Sequence, residues 1–475
     1  MNQNISFLLN NTAVNSELNP ATVTLDFLRS CKLTGAKEGC KEGDCGACTV
    51  ICGSLENDKL IYRTVNSCLV PVMNIHGSHI VTIEGLNLNK SQLSPVQSSF
   101  VIEGASQCGF CTPGFIVSLT AYFLTSDKLK NKNILDFIDG NVCRCTGHSS
   151  IIRAAGNLQN EFENAPDDFD KRLFYLVDKN IIPEYFLKVK EKLNDLHIVL
   201  TDSNISDMPD YYVGGGTDLF VQKPDEMLSS SLSFIFKKNN PDTIYEDDGF
   251  CCVSASATVT DILDSVLIKK LFPDINGFSE LFGSTPIRNN ATLGGNINNA
   301  SPIGDMTAFF LSLDSDVILS ENTSERTVSL KDYFVSYKKT VRSRGEILKY
   351  VRFKLPQSKY FFNFEKVSKR TYLDIATVNT ALYLESENDY INKINISAGG
   401  VFETPKFLSL TSEYLTGKNI NAATIREAVR IAGTEISPIS DARGSESYKR
   451  LLLSRLIYAH FIKLFPELIS IKETV

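Results

Sequence analysis

Eight of the twelve cysteines fall into two compact sets. Cys40, Cys45, Cys48 and Cys68 follow the spacing C-x4-C-x2-C-x19-C. Two irons bridged by sulfide need four thiolates that converge from a tight loop and one more distant residue, and this spacing suits one [2Fe–2S] cluster. Gly43 and Gly46 let such a loop curl, because glycine reaches positive φ without a Cβ clash. Curling also turns backbone N–H groups toward the sulfurs, which helps set the potential. Cys108, Cys111, Cys143 and Cys145 form the second set, spaced C-x2-C-x31-C-x1-C. Both pairs precede helical segments, and helix N-termini favour the negative charge of a thiolate-bound cluster. The two pairs are expected to converge at the centre of a small helical bundle.

Other chemistries fit these cysteines less well. Structural zinc usually takes paired C-x2-C knuckles, and each set has a single pair of that spacing. Cys108-Gly109-Phe110-Cys111 could be a redox dithiol, but that use needs a preceding strand in a βαβ setting. Cys31, Cys52, Cys251 and Cys252 read as structural, with Cys52 a small hydrophobe in an apolar run. The five histidines show no triad or metal spacing. His148, close to Cys145, is expected to be a capping or surface residue.

Two further stretches could hold a polar ligand. Tyr212 and Val213 end a strand that runs into Gly214, Gly215, Gly216, Thr217, Asp218 and Leu219, and glycines allow a backbone to approach a pyrophosphate. This is not the G-x-G-x-x-G of a Rossmann fold. The second stretch runs from Phe282 through Thr292, Leu293, Gly294, Gly295 and Asn296 to Asp305. It is dense in small residues, amides and hydroxyls.

The elements that must carry these residues form an α+β multidomain chain. Residues 1–86 read as a β-grasp ferredoxin domain: strands at 5–9 and 22–24 around the turn at Asn10 and Asn11, a short helix from Leu25, and a closing strand at 81–84. Residues 87–160 read as a helical domain opened by Pro95 and Pro113. Residues 161–185 are polar and acidic and read as a linker. Residues 186–358 form an α/β domain. Residues 359–475 form an α+β domain with strands at 361–366, 376–385 and 391–400, and helices at 422–432 and 448–464. Length fits several domains, and a hydrophobic share of 43% is globular. The net charge of −7 offers no basic stripe for nucleic acid. The lack of a membrane-length apolar run or a leader pattern gives a cytoplasmic expectation.

With these motifs in place, the chain resembles the small subunits of bacterial xanthine dehydrogenases in the molybdenum hydroxylase family. The resemblance covers nearly the whole chain. Its most specific parts are the Gly39 to Val50 loop, the Gln107 to Gly114 and Cys143 to Gly147 turns, the Thr292 to Asn296 loop, and the Ala300 to Asp305 run. It implies a four-helix-type second [2Fe–2S] domain, a vanillyl-alcohol-oxidase-type FAD-binding domain and a C-terminal flavoprotein domain. By the same resemblance the first cysteine set binds the cluster nearer the flavin. The second set binds the one nearer molybdenum, with Gln107 and Cys145 close to molybdopterin. Residues 212–219 and 292–296 match flavin loops, while Phe282 and Asp305 match positions beside the isoalloxazine. Redox chemistry would sit on the cofactors, with no catalytic acid or base on this chain. The implied activity passes electrons from a molybdenum-cofactor large subunit through both clusters to FAD and NAD+, in hypoxanthine and xanthine oxidation. The implied assembly is a dimer of heterodimers. By the resemblance, the molybdenum domains of single-chain eukaryotic members are expected on that large subunit. Aldehyde oxidase or carbon monoxide dehydrogenase types, and a non-catalytic iron–sulfur sensor or assembly module, are the alternatives. Lys41 and the His148-Ser149-Ser150 run depart from the family pattern. Lys41 is expected in an α-region or solvent-exposed conformation.

Overall fold

The first sheet is two hairpins brought together. Gln3–Leu9 pairs antiparallel with Thr12–Leu18 through the turn at Asn10, whose φ of 53° asparagine tolerates. Thr49–Glu56 pairs with Lys59–Asn66. His79–Val81 lies between the hairpins, parallel to Leu8 and Leu9 on one side and antiparallel to residues 51–53 on the other. The sequence placed the second strand at 22–24. The two-residue turn instead returns the chain at Thr12, and Thr24 opens the helix Thr24–Ser30. The closing strand ends at Val81, and Ile83–Leu86 is a helical turn rather than extended chain.

This computed structural model describes residues 2–87, 92–125, 128–196, 208–236, 243–370 and 374–473. The chain divides into two compact units. One comprises Met1–Pro241 and Ser284–Ala291; the other comprises Asp242–Gly283 and Thr292–Val475. The segment read as one flavin-binding domain over 186–358 therefore contributes to both.

In the first unit the helical domain rests on Pro95–Ile102, Thr112–Phe123 and Ser149–Glu161. Ser94 and Gln97 close the first helix with a capping box. Thr112–Phe123 is buried from Gly114 onward, so it forms the axis of this core. The residues read as a linker are packed helix instead. Phe169–Asp178 buries Leu173 and Leu176 in the same core as Phe115 and Ile151, and Tyr185 and Phe186 follow them. Its acidic residues misled because they face out: Asp168 caps the helix and Asp167 pairs with Lys128 and Lys130. Arg172 is fully buried and donates to the carbonyls of Thr125 and Pro166.

The second unit holds a five-stranded antiparallel sheet, ordered 324–329, 316–321, 347–354, 250–254 and 244–247. It also holds a four-stranded antiparallel sheet, Tyr360–Val367, Val378–Glu387, Tyr390–Gly399 and Lys406–Phe407. The helices Ser409–Leu415 and Glu446–Leu464 lie on the latter and Ala422–Thr434 packs on both helices, so that Ile425, Leu453, Ile457 and Phe461 share one core with Leu382 and Ile396. Among the described residues no helix is long and apolar enough to cross a membrane.

Two buried histidines make stability pH-dependent. His79 Nε2 donates to the Asn10 carbonyl and its Nδ1 accepts from Tyr62 Oη. His460 accepts from Asn363 Nδ2 and donates to Thr380 Oγ1. Burial lowers both from 6.5 to about 3, so both are neutral in the fold. Between those pH values the unfolded chain binds more protons. Their contribution is therefore complete above about pH 6.5 and is lost as pH falls toward about 3, by ~1.4 kcal/mol per pH unit for each histidine. The urea midpoint is expected to drop between pH 7 and pH 5, and to drop less in His460→Gln.

Candidate iron–sulfur and flavin sites

The first cysteine set lies where the loop ahead of Thr49–Glu56 meets the turn after Lys59–Asn66. Cys48 and Cys68 are buried, with their sulfurs 3.3 Å apart. Cys40 and Cys45, both half-buried, form the other pair and share a hydrogen bond. Gly43 and Gly46 take φ of 81° and 67°. The curl does direct N–H groups at sulfur: Glu42 N and Asp44 N donate to Cys40 Sγ at 3.4 and 3.2 Å. The hydrogen bond from Cys45, working against burial and helped by these N–H groups, holds Cys40 down to about 5. The same hydrogen bond, together with burial, pushes the Cys45 thiol up. Lys41 is exposed, as expected, but left-handed at φ 60° rather than in an α-region. That conformation costs about 1–2 kcal/mol in a residue other than glycine.

The second set opens on the surface, not at the centre of a bundle. Cys108 and Cys145 are exposed with sulfurs 3.5 Å apart; Cys111 is half-buried and Cys143 buried, and these two also share a hydrogen bond. Gly109 and Gly147, at φ of 78° and 63°, carry the loops outward, with open space around both. Thr146 donates to Cys143 Sγ through N and Oγ1, at 3.4 and 3.1 Å. His148 stands at the cap position of Ser149–Glu161, but its side chain does not cap that helix. Its Nε2 instead accepts the Cys143 N–H at 3.0 Å, and its ring lies against Phe115. The sequence reading missed this positioning role.

In both sets the thiols come in twos, which suits two bridged irons with two protein sulfurs each. Among the described residues no three His, Cys, Asp or Glu side chains gather around a point for a single ion. The two sets are also joined. Val142 N, one residue before Cys143, donates to the carbonyl of Cys45 at 3.0 Å. Asn141 Nδ2 donates to Gly46 O at 3.1 Å, and its Oδ1 accepts from Ser118 at 2.7 Å. A Cβ on Gly46 would strike Asn141 and Gly140, so this approach needs glycine.

The glycine loop after Tyr211–Val213 belongs to the first unit. Asn74 Nδ2 donates to Gly214 O at 2.9 Å and Asn290 Nδ2 to Gly215 O at 2.6 Å. Gly216 has φ 84°, and a Cβ there would lie 3.1 Å from the carbonyl of Leu69, the residue after Cys68. The loop thus rests on the first cysteine site. Thr217, Asp218 and Leu219 carry it into a short helix, Leu219–Gln222.

The remaining ligand candidates lie in the second unit. Thr292 Oγ1 accepts from Gly295 N at 3.1 Å, fixing the turn through Leu293 and Gly294. Gly294 is pressed on Ala255, and a Cβ would lie 2.9 Å from its carbonyl. Asn296 Oδ1 accepts from Thr307 N and Oγ1, next to the helix Asp305–Ser312. Asp305 accepts from Lys366 Nζ at 2.7 Å and Asn379 Nδ2 at 2.6 Å. Lys366 is almost wholly buried and also donates to Leu281 O, beside Phe282. Phe282 is 3% exposed, its ring 4.9 Å from Phe364. Lys366 so links Asp305 to the residue before Phe282, and Asn296 is bonded to the helix that Asp305 opens. Lys366 is the residue the sequence reading missed. Its signal was strand parity: it is in phase with Phe362 and Phe364 in Tyr360–Val367 and points with them.

Comparison with protein families gives four matches in chain order. Residues 9–73 match a 2Fe-2S iron-sulfur cluster binding domain, and residues 82–156 a [2Fe-2S] binding domain. Residues 191–357 match the FAD binding domain in molybdopterin dehydrogenase, and residues 363–464 the CO dehydrogenase flavoprotein C-terminal domain. The four domains match the molybdenum hydroxylase small-subunit architecture. Two iron–sulfur domains and one FAD domain give this architecture its cofactors, two [2Fe–2S] clusters and FAD. Xanthine dehydrogenase 1 of Arabidopsis thaliana is 28% identical, over 90% of this chain and 37% of its own length. Xanthine dehydrogenase of Blastobotrys adeninivorans is 27% identical, over 94% of this chain and 39% of its own. The chain thus spans under two fifths of the length of these two relatives. A reconstituted CO dehydrogenase from Oligotropha carboxidovorans overlays 52% of this chain and 88% of its own, at 24% identity and a TM-score of 0.49.

Proposed function

We propose that the chain is the electron-transfer and reductase subunit of a xanthine dehydrogenase, taking electrons from a molybdenum-cofactor partner and delivering them to NAD+. The observation that carries this reading is the order of sites in the first unit. The second cysteine set is hydrogen-bonded to the first through Val142 and Cys45, and the glycine loop rests on Leu69 beyond the first set. When bound, the clusters supply one-electron steps and the flavin collects pairs for hydride transfer, with the protein orienting and tuning them.

The chain's own part is to hold those groups. Cys40, Cys45, Cys48 and Cys68 would ligate the first cluster, and Cys108, Cys111, Cys143 and Cys145 the second. Residues 212–219 and 292–296 would bind FAD. Asp305, held by Lys366 and Asn379, would sit beside the isoalloxazine with Phe282. The exposed Cys108 and Cys145 support a partner that covers the second site. The exposed apolar residues on the same helical domain, Ile102, Phe110, Val142 and Ile152, support it too.

NAD+ and a purine are the specific parts of this reading, and the xanthine dehydrogenase relatives support them. The match of residues 363–464 to a CO dehydrogenase flavoprotein domain favours a second reading, the same relay serving another molybdenum hydroxylase. NADH oxidation with an artificial acceptor tests the reductase. The iron- and FAD-replete chain is expected to turn over NADH, and persistent inactivity in that state would contradict it. Hypoxanthine oxidation by the complex with its co-purifying partner separates the two substrate readings.

A further inference from the structure

Ser284–Ala291 lies in sequence between two parts of the second unit, yet packs in the first. Its anchors are specific. Thr285 N donates to both carboxylate oxygens of Asp139, at 2.9 and 3.0 Å, and Thr285 Oγ1 donates to Asp139 Oδ2. Arg288 donates to the same carboxylate at 2.9 Å, with both side chains only 11% exposed. Asn289 Nδ2 donates to Thr64 O and Asn290 Nδ2 to Gly215 O. Between these polar anchors stand two apolar side chains, Pro286 against Gly140 and Ile287 against Gly43. A Cβ on Gly43 would lie 2.5 Å from Ile287 Cδ1 and 3.0 Å from Leu69 Cδ1. Ile287 also packs against the core that contains Cys48 and Cys68. The Gly43 N–H hydrogen-bonds the sulfur of Cys68.

We propose that Ser284–Ala291 is an apolar cap on the first cluster site, with Ile287 shutting water away from the Gly43 turn and Asp139 fixing the cap in place. The inference rests on the assignment of Cys40, Cys45, Cys48 and Cys68 to that cluster. Solvent exposure and hydrogen bonds to sulfur set cluster potentials. Four thiolates make the site anionic, and reduction adds a further negative charge. Water or a dipole at Ile287 therefore stabilises the reduced form and raises the potential.

Potentiometric EPR on the iron-loaded full chain tests this with Ile287→Val and Ile287→Thr, which are equal in size and differ in a hydroxyl. Simple packing predicts equal behaviour of the two. The cap predicts that Ile287→Thr shifts the first cluster's reduction constant about tenfold relative to Ile287→Val, about 59 mV upward for one electron. The second cluster's midpoint is expected to stay where it is. Equal midpoints in the two variants, or a common shift of both clusters, would overturn the cap. If Ile287→Thr fails to fold, deuterium exchange followed by pulsed EPR on the unaltered chain decides. Slow exchange around the first cluster, against fast exchange around the exposed second one, is expected; equally fast exchange at both overturns the proposal. A wild-type chain with no first signal would instead refute the cysteine assignment.

Discussion

Cys145→Ser is expected to lower iron from about four atoms per chain to about two and to erase one of two [2Fe–2S] EPR signals. Cys145 is exposed, and its sulfur is paired with that of Cys108 across 3.5 Å. Its loss removes one of four thiolates from the second site. The first site keeps both of its sulfur pairs and the N–H groups aimed at Cys40. The loss of the second cluster also removes the folding free energy that its ligation supplies, so the unfolding midpoint is expected to fall with the iron content. Iron analysis and EPR of the dithionite-reduced protein check this. Disappearance of both signals would mean that the two sets do not act as separate sites.

Lys366→Met is expected to have the largest effect on the second unit. Lys366 is 2% exposed and Asp305 17% exposed in their side chains, and the ion pair spans 2.7 Å. Removing the cation strands a largely buried carboxylate, a change that costs about 3–5 kcal/mol. Asn379 would remain as its donor, which does not neutralise the charge. The double variant Lys366→Met with Asp305→Leu removes both charges and is expected to recover much of that stability. Flavin content separates the two roles of the pair. If Asp305 sits beside the isoalloxazine, the double variant regains its unfolding midpoint but not its FAD. Denaturant titration alongside flavin quantitation reads both.

The gathering of the cysteines into two sets was legible because its signal is local: cysteine spacing and glycine conformation are properties of short stretches of chain. Gly43 and Gly46 take the positive φ that the loop requires. The helix starts at Pro95 and Thr112 were legible for the same reason, since capping and proline placement are short-range. Elements whose position depends on long-range packing were not. The acidic residues 161–185 carry a stripe of Leu173, Leu176, Ile181 and Tyr185 that finds its core only when the helical domain is present. The surface opening of Cys108 and Cys145 depends on which side of the domain its loops leave. Lys366 was hidden by distance, 61 residues from the Asp305 that it pairs with. The anchoring of Ser284–Ala291 joins residues 146 or more positions apart at Asp139 and Thr64.

The proposed relay puts two independent one-electron centres and one two-electron flavin on a single chain. Anaerobic reductive titration of the purified full chain, with metal and flavin analysis, tests it most directly. The expected result is about four electrons per chain, two at FAD and one at each cluster, with about four irons and one FAD. Two distinguishable EPR signals should develop as the titration proceeds. Zinc in place of iron, or a chain that accepts only the flavin's two electrons with its iron sites filled, would contradict it.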